Sequence, residues 1–367
     1  MDLSKAKQYS AIKYRIYFCN LILSFCFLVF FQFFISPRLA NFSYQYFNPM
    51  FLSLIGYLLF FCIAYYLVFL PLGFYSSYVL EHRFNLSNLS IKKWVVDEIK
   101  RNLLELPLFL ILFLLLYVVL INFENIWWMI AAFSWMGLSI IFAKLLPIFV
   151  IPLFYKYSDI PDEDLKSRIG MLAKKANIKL MNVFQIDFSK KTKKANAALV
   201  GVGKTKRVIL ADNLVNGFSC DEVEVVCAHE FGHYKLKHLW KLLLFHSVTT
   251  FFGFFLLSIL LHKIAGIFHI NNIYDLTIFP SILLVLSIFG TVVLPIQNAF
   301  SRYLEKQADV YALKLTRNKQ GFTSLMEKLA QKNLADQNPP LFIKLLIFDH
   351  PPIKERLMLA DEYDFGR

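Results

Sequence analysis

Charge is what this chain has least of: Asp, Glu, Lys and Arg together make 18% of 367 residues, against about a quarter in an ordinary soluble domain. Polar groups this sparse cannot cover a globule of this size, which excludes a conventional soluble enzyme. Cysteine is scarce too. Cys19, Cys26 and Cys62 lie in apolar runs, Cys220 and Cys227 in a polar stretch, and no CxxC pair occurs. That spacing excludes a secreted disulfide scaffold and a cysteine metal site. Internal repeats and low-complexity tracts are lacking. Acidic residues are outnumbered 26 to 39, a formal charge of +13 that invites a nucleic-acid reading until the charges are located.

What is abundant is apolar: 57% of the residues are hydrophobic and 17% aromatic. About 20 apolar residues cross a hydrocarbon core, and six such runs occur, at 16–36, 51–79, 103–122, 126–153, 240–262 and 277–297. The chain reads as a mainly α-helical, polytopic membrane protein in contact with the lipid bilayer. The first run is too long for a signal peptide's apolar region and lacks a small-residue cleavage site, so it is read as a retained span. Proline near one end of the second and fourth runs (Pro71; Pro147 and Pro152) predicts tilt, a kink, or helix beyond the bilayer. Six crossings put 36 of the 39 positive charges on one side, leaving Arg38 and Lys263 opposite and Lys144 in the membrane. By the positive-inside rule both termini are cytosolic. The net charge is therefore a signal of topology, and a nucleic-acid partner loses its support.

Between the fourth and fifth spans lies a polar insertion, 154–239, and after the sixth a tail, 298–367; together they are long enough for one small cytosolic domain beside the membrane parts 1–153 and 240–297. Within the insertion, Asp162-Glu163-Asp164 opens a helical stretch to about Ala176. Val183–Phe188, Asn196–Val200 and Arg207–Ala211 read as short strands, and 201–206 as a hairpin connection.

His229-Glu230-Phe231-Gly232-His233 is an HExxH sequence. On a helix, histidines at i and i+4 point from one face toward a common atom, and zinc suits that geometry. Glu230 can then sit beside a metal-bound water and accept its proton. A pair of surface histidines is the bland alternative. A catalytic zinc needs a third protein ligand, and Glu305 offers one, with Asp309 four residues on, on the same helix face, able to accept a hydrogen bond from a ligand histidine's outer nitrogen. His233 precedes the fifth span by seven residues and Glu305 follows the sixth by eight, so both stand about 10–12 Å from the membrane boundary on one side.

These residues resemble the type I CAAX prenyl protease family of integral-membrane zinc metalloproteases. The resemblance includes Leu70-Pro71-Leu72-Gly73-Phe74-Tyr75-Ser76-Ser77 with Glu81-His82-Arg83-Phe84, Ile151-Pro152-Leu153-Phe154, Ser189 with Asn196-Ala197, and Lys206-Arg207-Val208-Ile209-Leu210 with Asp212. It continues through HExxH, Ser301-Arg302 with Glu305 and Ala308-Asp309, and His350-Pro351-Pro352 with Arg356-Leu357. Eukaryotic members carry a further span before the Ser4 region that this sequence does not show, which implies a six-span prokaryotic relative in a bacterial inner membrane, or the endoplasmic reticulum for a eukaryotic source.

The resemblance implies one zinc ion held by His229, His233 and Glu305, Glu230 as general base, and Asp309 behind a ligand histidine or as proton donor. It implies Asn196-Ala197 on an edge strand holding an extended peptide, His350 as an oxyanion donor, and Arg302 in the same network or on substrate. It also implies an intramembrane chamber, with which Lys144, Glu105 and His246 are compatible. The lysines at 190, 191, 193 and 194 suit anionic headgroups, an acidic substrate or plain solvation. The reading is a membrane-embedded zinc endopeptidase acting on peptides or proteins, prenylated or membrane-associated. The alternatives are a quality-control protease like HtpX, a catalytically inactive scaffold, and a transporter or channel, which leaves HExxH unexplained.

Overall fold

A computed structural model describes residues 3–201 and 206–364. Six helical segments among these residues are long and apolar enough to cross a membrane, and the six predicted runs overlap them, the fourth and sixth starting one and two residues before their α-helices. The first is α1 (Leu3–Phe30), continued by a π-turn at Phe31–Ile35 into α2 (Ser36–Tyr46). Pro37 lacks the N–H that would bond the Phe33 carbonyl and its ring crowds that carbonyl, so the turn before it widens. The second joins α3 (Met50–Phe74) through a π-turn at Tyr75–Val79 to α4 (Leu80–Arg83); then come α5 (Ile91–Asn122) and α6 (Trp127–Phe154). The polar insertion follows as β1 (Tyr157–Asp159), α7 (Glu163–Lys175), β2 (Asn182–Ile186), β3 (Ala197–Val200), β4 (Arg207–Ala211), α8 (Asp212–Gly217) and α9 (Cys220–Lys235). After the spans α10 (His238–Ile267) and α11 (Phe279–Thr316), the tail forms α12 (Lys319–Lys332), α13 (Leu341–Ile347) and α14 (Ile353–Glu362).

The four strands order β1-β2-β4-β3, with β2 parallel to β4 and both outer pairs antiparallel, which leaves β3 at an edge. Residues 202–205 of the predicted hairpin connection lie outside the described residues. The sheet, α7, α9, α12 and the end of α11 share one core, which includes Ile169, Val208, Leu210, Val223, Cys227, Phe231 and Phe322. Val223, Cys227 and Phe231 recur every fourth residue on α9, so burying them turns His229 and His233 to the opposite side. A capping box starts that helix: Ser219 accepts from the Glu222 N–H at 3.3 Å, and the Glu222 carboxylate accepts from the Ser219 N–H at 2.7 Å. Lys328 and Ser324 of α12 also donate to Glu222, tying the cap into the domain.

Inside the membrane part, an apolar cluster around Phe31, Tyr57, Phe61 and Phe279 contains one satisfied polar clamp. Gln32 donates to the Thr277 carbonyl at 2.9 Å and accepts from Ser281, while Ser36 bonds both Thr277 and Tyr57 at 2.6 Å. Such bonds fix which helices meet where apolar packing alone does not discriminate. A cavity of about 710 Å³ opens between α1, α3, α5 and α11, with Glu98, Arg101, Asn102 and Glu105 on its wall. Glu105 thus faces a cavity, which is compatible with the implied chamber. Lys144 does not line it: its ammonium lies over the Trp240 ring, 5.2 Å from the centroid, a cation–π contact that accommodates the charge instead.

Candidate active site

Two helices build the site. α9 presents His229 and His233, and α11 presents Glu305 and Asp309 on a buried polar stripe that also includes Asn298 and Arg302. The helices approach closely at Gly232, where an added Cβ would lie 3.2 Å from the Ala308 Cα and 3.1 Å from the Tyr311 Cβ. Only glycine lets α9 come this near.

One ligand atom from each of His229, His233 and Glu305 falls within 4.8 Å of the others. The two imidazole Nε2 atoms are 3.0 Å apart, and each lies 3.2 Å from a different Glu305 oxygen. Glu305 Oε2 is buried and forms no hydrogen bond of acceptable geometry. The donor atoms converge on a common point rather than pairing with one another, and that arrangement fits a tetrahedral cation with one open position. The outer nitrogens are occupied. His229 Nδ1 donates to Asp309 Oδ1 at 2.9 Å; Arg356 of α14 grips both oxygens of that fully buried carboxylate, which keeps it an acceptor and turns His229 Nε2 toward Glu305. Burial pulls the His229 imidazole down, but Asp309 and Glu305 outweigh it and hold it up at about 9. The carboxylates call for positive charge at this point. His233 Nδ1 meets His238 Nδ1 at 2.9 Å, and His238 Nε2 reaches Gln307 Oε1 at 3.1 Å.

Glu230 is partly exposed beside the histidines. Burial pushes its carboxyl up, while the adjacent imidazoles and the Leu199 backbone amide of β3 favour its ionised form. The ladder explains why that amide is free. Asn196 O accepts the Ala211 N–H at 2.9 Å, and bonded pairs alternate in an antiparallel ladder, so Asn196, Ala198 and Val200 face β4 while Ala197 and Leu199 turn outward. Asn196 therefore spends its backbone on β4, and Ala197 with Leu199 form the open edge. Asn213, donating to the carbonyls of Thr192 and Lys194 at 2.7 and 3.0 Å, and Asp212, accepting from Ser189, anchor the loop that enters this strand.

The remaining predicted residues fall into place differently. His350 is brought in, its Nε2 3.4 Å from Glu305 Oε1; a hydrogen bond to Asp349 at 2.8 Å raises its pKa above the ordinary imidazole value. Asp309 is sealed behind His229, so it positions that ring and does not reach substrate as a proton donor. Arg302 is mostly buried, and its Nη1 donates to the Lys344 and Phe348 carbonyls at 3.0 and 2.6 Å, holding the turn that carries His350; it shares a small cavity with Asp309 and Arg356. Leu199, His238, Gln307 and Asp349 carry no sequence signal of their own, and Arg356 enters the motif without a role.

Residues 159–364 match peptidase family M48, and residues 1–156 match the CAAX prenyl protease N-terminal family of five membrane helices, of which this chain shows four among the described residues. The chain is 28% identical to an uncharacterized metalloprotease, YhfN, of Bacillus subtilis over 98% of its own length and 86% of the relative's. It is 32% identical to CAAX prenyl protease 1 of Saccharomyces cerevisiae over 80% and 69% of the two lengths. The crystal structure of S. mikatae Ste24p superposes with a TM-score of 0.88 at 26% identity, over 98% of this chain and 89% of that one. Because the matches run through both the spans and the domain in which a divalent-metal ligand set converges, this chain belongs to peptidase family M48 and is a multi-pass membrane metalloprotease.

Proposed function

We propose that the chain is a zinc endopeptidase of the CAAX prenyl protease type, with its site and both termini on the cytosolic face. His229, His233 and Glu305 would hold the ion, and the observation that carries this is the convergence of their donor atoms around an unbonded, buried Glu305 oxygen. Zinc bound there supplies a water acidified toward neutral pH and a polarised scissile carbonyl.

The rest is work for the chain's own groups. The outward carbonyls of Ala197 and Leu199 bind substrate as an added strand, which sets the scissile carbonyl beside Glu230, itself held by the Leu199 amide. Glu230 takes a proton as water oxygen bonds to the carbonyl carbon, and returns it to the nitrogen as the C–N bond breaks, so no covalent enzyme intermediate forms. His350, its imidazole held above the ordinary range by the hydrogen bond to Asp349, donates to the developing oxyanion. Asp309 and Arg356 fix the His229 ring throughout. A prenylated C-terminal CAAX protein is the proposed substrate, by analogy with the yeast relative's name.

The test uses purified protein and two peptides identical except for a farnesyl group on the CAAX cysteine, with Glu230→Gln and a zinc chelator as controls, and mass spectrometry to locate the cut. Cleavage of the farnesylated peptide alone, abolished by both controls, supports the proposal. Equal cleavage of both would replace it with a general membrane-proximal protease.

A further inference from the structure

We infer that the cleft where α5 begins and α6 ends is a binding site for the headgroup of an anionic phospholipid of the surrounding bilayer. The cleft holds about 580 Å³. Six lysines edge it: Lys92, Lys93 and Lys100 from the first turns of α5, Lys156 from the residue before β1, and Lys190 and Lys191 from the loop after β2. Two carboxylates answer them, Asp97 pairing with Lys191 at 2.6 Å and Asp187 with Lys190 at 2.7 Å. Four lysines remain without a carboxylate. Lys100 donates to the Leu153 carbonyl at 3.0 Å, and the chains of Lys92, Lys93 and Lys156 meet no acid within ion-pair reach among the described residues.

The depth of the cleft decides whose phosphate it suits. α5 carries its last basic residue at Arg101 and its last acidic residue at Glu105, and the rest of the helix is apolar, so the lysines stand at the water boundary of a span. The same turns expose Ile91, Val95, Val96 and Ile99, and Leu103 is 70% exposed just below them; α6 exposes Phe149 and Leu153 alongside. An apolar stripe beginning at a cluster in which lysines outnumber carboxylates six to two matches a molecule with an anionic head and hydrocarbon tails. A free phosphate or an acidic peptide would use the lysines and leave the stripe uncovered. Lys191 also bonds Asn88 through its carbonyl, and the loop it belongs to leads into β3, so a headgroup held here ties the substrate edge to the membrane plane.

The full chain in detergent, titrated with phosphatidylglycerol or phosphatidylcholine and read by native mass spectrometry, tests this. One phosphatidylglycerol should be retained at least tenfold more tightly than phosphatidylcholine, and millimolar glycerol phosphate should not displace it. Lys93→Ala/Lys100→Ala/Lys156→Ala should weaken phosphatidylglycerol roughly a hundredfold, about fivefold per lysine, and leave phosphatidylcholine unchanged. Arginine at the same three positions should retain binding, and Lys166→Ala/Lys174→Ala/Lys179→Ala, with the same charge loss on another face, should have no effect. Equal affinity for the two lipids, wild-type binding by the cleft variant, or tighter binding of an acidic peptide at the same lysines would each overturn the inference.

Discussion

Glu230 and Glu305 lie beside the same two imidazoles, yet substitution should separate them. Glu230→Gln keeps all three donors and removes only the proton acceptor, so metal content stays near one per chain while turnover falls by roughly 10²–10⁴. Glu305→Ala removes a donor and should lose metal, which elemental analysis of the purified variant reads directly; full occupancy there would move the third ligand elsewhere. His238 is a subtler case. Its Nδ1 faces His233 Nδ1 and its Nε2 is taken by Gln307, so it accepts the proton that leaves His233 Nε2 free to ligate. His238→Ala should weaken metal binding on the order of 10–100-fold in a chelator competition, with the circular-dichroism melt little changed. His238→Asn, which can still accept, should restore part of the affinity; equal affinity in wild type and His238→Ala would remove the residue from the site.

At the scale of elements, the site depends on how closely α9 and α11 approach. Gly232→Ala leaves every ligand in place and raises helix propensity by about 1 kcal/mol, but its methyl would press on backbone at 3.2 Å. The helices must then part by some tenths of an ångström, and a ligand set shared between them loosens. Weaker metal affinity with unchanged helix content is the expected result, and an unchanged Kd would show that the helices repack without cost. This contact also marks what was legible beforehand. HExxH declares itself because i and i+4 share a helix face, and Glu305 because both its side and its depth follow from counting residues to the span ends. His238 lies five residues past His233, beyond a helix break at Lys237 with φ of 56°, a spacing that shares no face on one helix. β1 escaped notice because three residues, two of them Ser158 and Asp159, make no alternating pattern. Arg302 reads as a substrate group until its partners prove to be carbonyls more than 40 residues away.

For the whole molecule, the membrane and the chemistry are joined by one rod. α11 is 38 residues long, about 57 Å at 1.5 Å per residue, so nearly half of it projects beyond a hydrocarbon core of about 30 Å. The projecting half carries Glu305 and Asp309, which makes the depth of the site a property of the span. In the proposed topology the side it faces rests on charge: with 36 of 39 basic residues on one flank, inversion would place nearly every Lys and Arg on the side that the positive-inside rule disfavours. In a background with the five native cysteines replaced, Glu124→Cys and Asn271→Cys, both in exposed loops between spans, should react with a membrane-impermeant maleimide in intact spheroplasts. Lys174→Cys and Asp361→Cys, on the domain that holds the histidines, should react only after permeabilisation. The reverse order would put the proteolytic site outside the cell, and a cytosolic CAAX protein would then be out of its reach.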